Sequence, residues 1–286
     1  MSLSFAITSL EQGLVFAIMA LGVYVTFKIL NFADLTVDGS LPLGAAVTAR
    51  LIVSGYSPLF AIIVAIFAGG IAGAITGFLN TKLKIAPLLS GILTMTALFS
   101  INLRVMGRPN IPLIMEKTLF DYFNLPYIIN NILILIIFIV ISKILMDSFL
   151  KTQLGFALRA TGDNPQMVRS MGINTNTTKM IGLIMSNSMV AFSGALVAQY
   201  QGFADVSMGI GTIVAGLASV IIGEVLAGEK SVFITTAGVI LGSIIYRFSI
   251  SIALTLGFNA SDLKLLSAII VIIFLSTPDL KKKIGM

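Results

Sequence analysis

The stretch Gln153 to Asn174, QLGFALRATGDNPQMVRSMGIN, is a long polar interruption in a chain whose other segments are mostly apolar. Asp163 or Asn164 can cap a helix, Pro165 suits the first helical turn, and Gly172 suits a left-handed residue past the end. The spacing therefore predicts a short helix over residues 165–171. Two turns are not stable alone in water, so the helix must dock on something. Met167, Val168 and Met171 share one side at i, i+3, i+4 spacing, with Arg159 and Arg169 nearby. That pattern fits a knob seated in another protein's groove. The alternative is an apolar side folded back on this chain's own helix ends.

Working outward, the 286 residues are 57% hydrophobic and 10% charged, with a mean hydropathy of +1.04, and spanning-length apolar runs recur along the chain. The class is an all-α polytopic membrane protein. The formal charge of +6 first reflects loop residues that set orientation, so no nucleic-acid partner is read from it. Without cysteine or histidine the chain has no disulfide, thiolate nucleophile or imidazole ligand, and neither a metal site nor a catalytic residue is expected. The N-terminus MSLSFAITSLEQG lacks the basic start and small-residue cleavage site of a signal peptide, so the first apolar run is expected to be retained.

In order, spans are expected near residues 5–29, 31–53, 59–79, 87–105, 128–145, 180–200, 212–226, 232–252 and 263–275, about nine elements in one transmembrane domain. The halves, 1–147 and 179–286, are joined by the loop 148–178. The second element opens on NFADLTVDGSLPLG, where Asp34 and Asp38 sit beside Gly39, Pro42 and Gly44, which suggests a broken helix. Gly69, Gly73 and Gly77 let a neighbouring helix approach the third. Ser90, Thr94, Thr96, Ser100 and Asn102 make the fourth polar, so it should face protein or water. The Ile/Leu-rich fifth should face lipid.

With the 153–174 loop placed inside, Lys28, Lys82, Lys84, Lys143, Lys151, Arg159, Arg169, Lys179, Lys230 and Lys281 to Lys283 fall inside, 12 of 18 cations. Outside fall Arg50, Arg104, Arg108, Lys117, Arg247 and Lys264. This satisfies the positive-inside rule with the N-terminus outside and the C-terminus in the cytoplasm. Phe32-Ala33-Asp34-Leu35-Thr36 recurs as Phe203-Ala204-Asp205-Val206-Ser207, entering from the opposite side, the pattern of an inverted repeat with interrupted helices. Asn31, Phe32, Asp34, Thr36, Asp38, Phe203, Asp205, Ser207 and Glu224 are the candidates for a translocation pathway. Asp34 and Asp205 could instead cap backbone ends, and Glu224 could form a structural ion pair.

The NFAD segment, the platform LGFALRATGDNPQMVRSMGIN and GLASVIIGE at Gly216 to Glu224 together resemble permease subunits of bacterial ABC importers of the branched-chain amino acid and ribose type, most of all a branch associated with tryptophan or tyrosine. The resemblance covers nearly the whole chain. It implies that the platform is the coupling helix received by a cytoplasmic ABC ATPase, with Leu154, Gly155, Arg159, Ala160, Asn164 and Gly172 matching the family pattern and Asp163, Met167 and Met171 beside them. It also implies two permease copies, expected as a homodimer, in the bacterial inner membrane, and an extracytoplasmic binding protein that delivers the solute.

No GxxxxGK[ST] string occurs, and Gly228-Glu229-Lys230-Ser231 has glutamate where glycine must precede lysine. ATP and Mg are therefore expected on a separate ATPase chain, with no cofactor on this one. Two other classes are weighed. A secondary transporter would use Asp34 and Asp205 as ion sites, and an intramembrane aspartyl enzyme would need that pair within hydrogen-bond reach. Nucleosides, sugars or a vitamin stand beside an amino acid as substrates.

Overall fold

The computed structural model describes residues 3–122, 127–228, 231–258, 262–263 and 265–272. Helix α1 spans Leu3–Val23 and continues as a π-helical segment, Tyr24–Ile29. Then come α2 (Val37–Val53), α3 (Pro58–Thr81), α4 (Pro87–Met106), the short strand β1 (Asn110–Pro112) and α5 (Tyr127–Leu150). Two helices follow outside the spans, α6 (Gln153–Asp163) and α7 (Pro165–Ser170), before α8 (Thr175–Gln201), β2 (Phe203–Asp205), α9 (Thr212–Ala227) and α10 (Val232–Thr255).

Among the described residues six helices are long and apolar enough to cross a membrane: Phe5–Ile29, Pro58–Thr81, Pro87–Met106, Ile128–Leu150, Thr175–Gln201 and Val232–Thr255. This is fewer than the nine expected elements. The second and seventh positions hold the shorter helices α2, of 17 residues, and α9, of 16. At about 1.5 Å per residue neither crosses a hydrocarbon core of about 30 Å. In the ninth position residues 265–272 are helical, and Lys264 and the lysine tail lie outside the described residues.

Local chemistry sets the ends. Ser57 caps α3 by accepting from the Phe60 N–H, and Pro58 occupies its first turn. Gly107 closes α4 with φ 71°, the left-handed geometry that glycine adopts without a Cβ clash. β1 pairs antiparallel with β2, Ile111 opposite Ala204, and joins the far ends of α4 and α8. The molecule therefore has a ribbon end and, opposite it, a platform end made by α6 and α7.

Helices α1 and α8 form the centre. Between apolar helices in lipid the driving force is van der Waals packing, which rewards small residues at crossings. The expected glycine stripe of α3 lies against α8: a Cβ at Gly69 would meet the Asn187 carbonyl at 2.4 Å, and one at Gly73 the Leu183 carbonyl at 2.2 Å. At Gly77 the nearest neighbour is Met180 at 3.3 Å, a tight contact but one that a shift of a few tenths of an ångström relieves. Helix α2 crosses the same helix, with Gly44 on Ala191 and Gly194 on Leu41.

Helix α4 carries its polar residues on two faces. Ser90, Thr94 and Asn102 face α2 and α3, but Thr96 and Ser100 share an exposed face with Leu93, Phe99 and Leu103. Arg247, counted on the outer side of the eighth span, lies within α10 with its guanidinium 3.8 Å from the Phe16 ring centroid.

Gly73→Val should destabilise the detergent-solubilised protein by about 3 kcal/mol, because the carbonyl it meets belongs to backbone and cannot rotate away. Gly77→Ala, whose Cβ asks Met180 to shift by only a few tenths of an ångström, should cost less than Gly73→Val. Heating followed by size-exclusion chromatography separates the two outcomes.

Candidate functional site

The platform is two helices where one was expected. Thr152 caps α6 by accepting from the Gly155 N–H, and Asn164 Oδ1 caps α7 by accepting from Gln166 and Met167 N–H at 3.1 and 3.0 Å. Asn164 rather than Asp163 is therefore the cap. Gly172 has φ 83° and lies just past α7. The apolar side divides: Val168 is buried against the protein, whereas Met167 and Met171 are 59% and 66% exposed. On α6, Leu158 is buried and Leu154 and Phe156 are exposed. Ala160 is exposed, and the Arg159 guanidinium stacks 4.7 Å from the Phe156 ring centroid. Helix α6 is anchored by close backbone approaches. A Cβ at Gly155 would meet the Phe149 carbonyl, and one at Gly162 would meet the Ile29 carbonyl at 1.9 Å.

The two FAD segments share a local geometry. Each follows a left-handed residue, Asn31 with φ 49° and Gly202 with φ 75°. In each, the aspartate accepts from the backbone two residues on, Asp34 from Thr36 N–H at 2.9 Å and Asp205 from Ser207 N–H at 2.8 Å. These are Asx turns, not helix caps. Their surroundings differ. Asp34 is 3% exposed, and its other oxygen accepts from Asn187 Nδ2 at 2.8 Å. Asn187 in turn accepts from Ser40 Oγ at 2.6 Å. Thr36 Oγ1 meets Thr76 Oγ1 at 2.7 Å, and Thr76 donates to Thr94 at 2.9 Å. One polar network thus ties the interrupted segment, α2, α3, α4 and α8 together. Phe32, Asp34 and Thr36 are all buried within the protein.

Asp205 lies in the ribbon, outside the six spans, with Phe203 and Ser207 exposed beside it. Hydrogen bonds from the Ser207 hydroxyl first, then from Ser207 N–H and Asn110, hold its carboxyl below the ordinary 3.8. A depressed carboxyl contributes stability that is present above the ordinary value and is lost as pH falls through the lower folded value. Its charge is thus constant at neutral pH. The two aspartates are not a pair. Asn187, the partner of Asp34, and Gln201, at the ribbon, are about 20 Å apart along α8 at 1.5 Å per residue, which excludes an aspartyl dyad.

Asp38 does what neither FAD aspartate does. Its carboxylate accepts from Gly211 N–H at 2.9 Å, Ile213 N–H at 2.7 Å and Thr212 Oγ1 at 3.1 Å, and so caps α9 from another helix. Gly209 makes the approach possible, since a Cβ there would meet the Asp38 carbonyl at 2.0 Å. Asp38, Met95, Phe99, Asn102, Val206 and Ile210 line a cleft of about 140 Å³. Asn102 Nδ2 donates to the Gly39 carbonyl at 3.1 Å.

At the platform end a cavity of about 360 Å³ is lined by Tyr24, Lys28, Arg159, Asp163 and Glu224. Lys28 and Glu224 are paired there at 3.1 Å, so Glu224 has an ion-pair partner, and Glu229 lies outside the described residues. Asn31 is exposed where α1 ends. Sequence reading missed the bond network of Lys143, Asp147 and Thr236, in which Lys143 and the Thr236 hydroxyl both donate to Asp147 and tie α5 to α10. Lys143 and Asp147 at i, i+4 were the available signal. Among the described residues no group of three or more acidic, histidine or cysteine side chains could hold a metal ion.

Residues 5–276 match the family model for the branched-chain amino acid transport system permease component. The tyrosine transport system permease protein of Clostridioides difficile is 48% identical over 96% of this chain and 91% of its own. The ribose import permease of Haemophilus influenzae is 30% identical over 84% of this chain and 74% of its own. Among solved structures, a metal-chelate type ABC transporter in an inward-facing conformation aligns with a TM-score of 0.54 at 16% identity, over 96% of this chain and 86% of that one. This last likeness concerns the fold alone.

Asp34→Asn should cost about 2 to 3 kcal/mol, because an amide nitrogen facing Asn187 Nδ2 sets donor against donor in a buried site. The same change at Asp205, where the amide oxygen can still accept from Ser207 N–H, should cost less than about 1 kcal/mol. Thermal unfolding of the two variants in one detergent measures the difference.

Proposed function

The chain belongs to the family of branched-chain amino acid transport system permease components, and on that premise we propose that it forms one half of the membrane pathway of an ATP-driven importer for an amino acid, with aromatic side chains included. The 48% identity to a tyrosine transport permease supports the solute class. A second copy of this chain supplies the other half, a separate ABC ATPase carries ATP and Mg, and a binding protein delivers the solute at the ribbon end. The chain lies in a bacterial inner membrane with its N-terminus outside and the platform in the cytoplasm, in keeping with the excess of basic residues at that end.

The observation that carries this reading is the exposed apolar surface of the platform. Leu154, Phe156, Met167 and Met171 lie outside the spans and are exposed, while Gly155, Leu158 and Val168 hold the same helices to the body. A rigidly anchored apolar knob fits the groove of an ATPase.

The anchoring also supplies a route for motion. Gly162 rests on the Ile29 carbonyl, and Gly182 on Leu30, directly before the interrupted segment that begins at Asn31. Movement of α6 with an ATPase therefore presses on the π-helical end of α1 and on the Asp34 turn behind it. We read the two FAD turns as an inverted repeat, with α2 and α9 as matching half-helices whose N-termini meet where Asp38 caps Gly211 to Ile213. Alternating access then arises as ATP binding and hydrolysis favour different arrangements of these halves.

Met167→Asp combined with Met171→Asp should weaken capture of the ATPase by at least about tenfold, equivalent to about 1.4 kcal/mol, without altering the elution of the permease. Co-purification from membranes, scored by ATP turnover, reads the result. A wild-type permease that captures no ATPase in any nucleotide state would overturn the assignment.

A further inference from the structure

Resting on the amino-acid reading above, we propose that the cleft between α2, α4 and the 206–210 segment is a subsite for a primary ammonium group, the α-amino group of the solute. Two residues of its lining carry acceptors with capacity to spare, Asn102 and Asp38. Asn102 is 1% exposed, and its Oδ1 has no hydrogen-bond partner among the described residues. The amide cannot simply be turned over, because its nitrogen donates to the Gly39 carbonyl at 3.1 Å and an oxygen in that place could not. Asp38 is the second acceptor. A carboxylate has about four acceptor positions, and three are taken by Gly211 N–H, Thr212 Oγ1 and Ile213 N–H, two on Oδ1 and one on Oδ2. Oδ2 therefore keeps one direction free.

The rest of the wall is Met95, Phe99, Val206, Ile210, Gly39 and Pro42, with no basic side chain. A site made of a carboxylate, a buried amide oxygen and apolar surface attracts a cationic donor and repels a carboxylate. A hard inorganic cation such as Ca²⁺ asks for roughly six or more oxygens, which this wall does not supply. The volume of about 140 Å³ takes the ammonium head and its first carbons. Phe99 and Ile210, both about half exposed at the cleft, offer apolar surface to an aromatic side chain lying along α4. Asp38 also joins α2 to α9, so an ammonium held there touches both half-helices at once.

The test uses the permease–ATPase complex in lipid nanodiscs without the binding protein, and three radiolabelled probes: tyrosine, tyramine, which keeps the ammonium, and 3-(4-hydroxyphenyl)propionate, which keeps only the carboxylate. Tyrosine and tyramine should bind and the propionate should not. Asn102→Leu, which removes the acceptor and preserves shape, should weaken tyramine binding at least tenfold. Asp38→Asn should do the same wherever it still folds. Propionate binding as strong as that of tyramine, an Asn102→Leu variant that binds tyramine as the wild type does, or no tyramine binding to wild type would each overturn the subsite. Amino-acid uptake by the complete system in proteoliposomes is scored separately. Absence of uptake removes the amino-acid reading, while tyramine binding still decides the cleft.

Discussion

Backbone that leaves helical geometry within a bilayer has no water to bond to, so each break must be satisfied by the protein itself. This constraint accounts for the positions of the intramembrane acids. Asp38 supplies an oxygen to each of two backbone N–H groups at the start of α9, a helix that begins inside the protein because α8 has already ended at the ribbon. Asp34 supplies one to Thr36 and is itself held by Asn187. Asn187 uses both ends of its amide, donating to Asp34 and to the Leu183 carbonyl and accepting from Ser40. A neutral side chain that both donates and accepts can stand at the junction of three helices without carrying a charge into lipid.

The same constraint explains the dependence on small residues. The polar network closes only if α2 and α3 approach α8 to backbone distance, and Gly44, Gly69, Gly73 and Gly194 set that approach. Apolar bulk is placed elsewhere. Between α3 and α5, floored by α8, lies a groove of about 570 Å³ lined almost wholly by aliphatic and aromatic side chains. A membrane protein can leave such a face open because lipid tails wet it as well as another leucine would. The interior is therefore organised by hydrogen bonds and close backbone contacts, and the periphery by solubility in lipid.

This division also explains what was legible in the sequence. Features set by neighbours along the chain could be read: Asn164 and Gly172 bounding α7, the start of α4 at residue 87, the α3 glycine stripe, and the recurrence of the FAD segment. Features set by distant partners could not. Helix α6 escaped notice because LGFALRATGD contains two glycines, and what holds it is contact with Phe149 and Ile29. Val168 had the spacing of an exposed stripe, yet it turns inward while Met167 and Met171 stay out. Asp38 looked like Asp34, an acid in the same interrupted segment, and only the fold brings Gly211 to it across 173 residues. Of the candidate pathway residues, it alone lines the cleft beside α4, whose unpaired acceptor Asn102 was noticed as polar but given no partner.

These assignments bear on the choice between ion coupling and ATP coupling. An ion-coupled carrier needs an acid that can exchange its partner during each cycle. Asp34 is fixed by a backbone N–H and by an amide that has no spare donor, so releasing it would break its bonds to the Thr36 turn before α2 and to α8 together. Asp205 is accessible, but its hydroxyl and backbone donors keep it ionised through the neutral range, where a proton-coupled site would have to titrate. Neither acid is suited to the task. The platform lies outside that network and is held to the body by two glycine backbone approaches and a few buried side chains. On the reading proposed above, the driving force would come instead from a partner that takes hold of the exposed apolar residues of α6 and α7, away from these two acids.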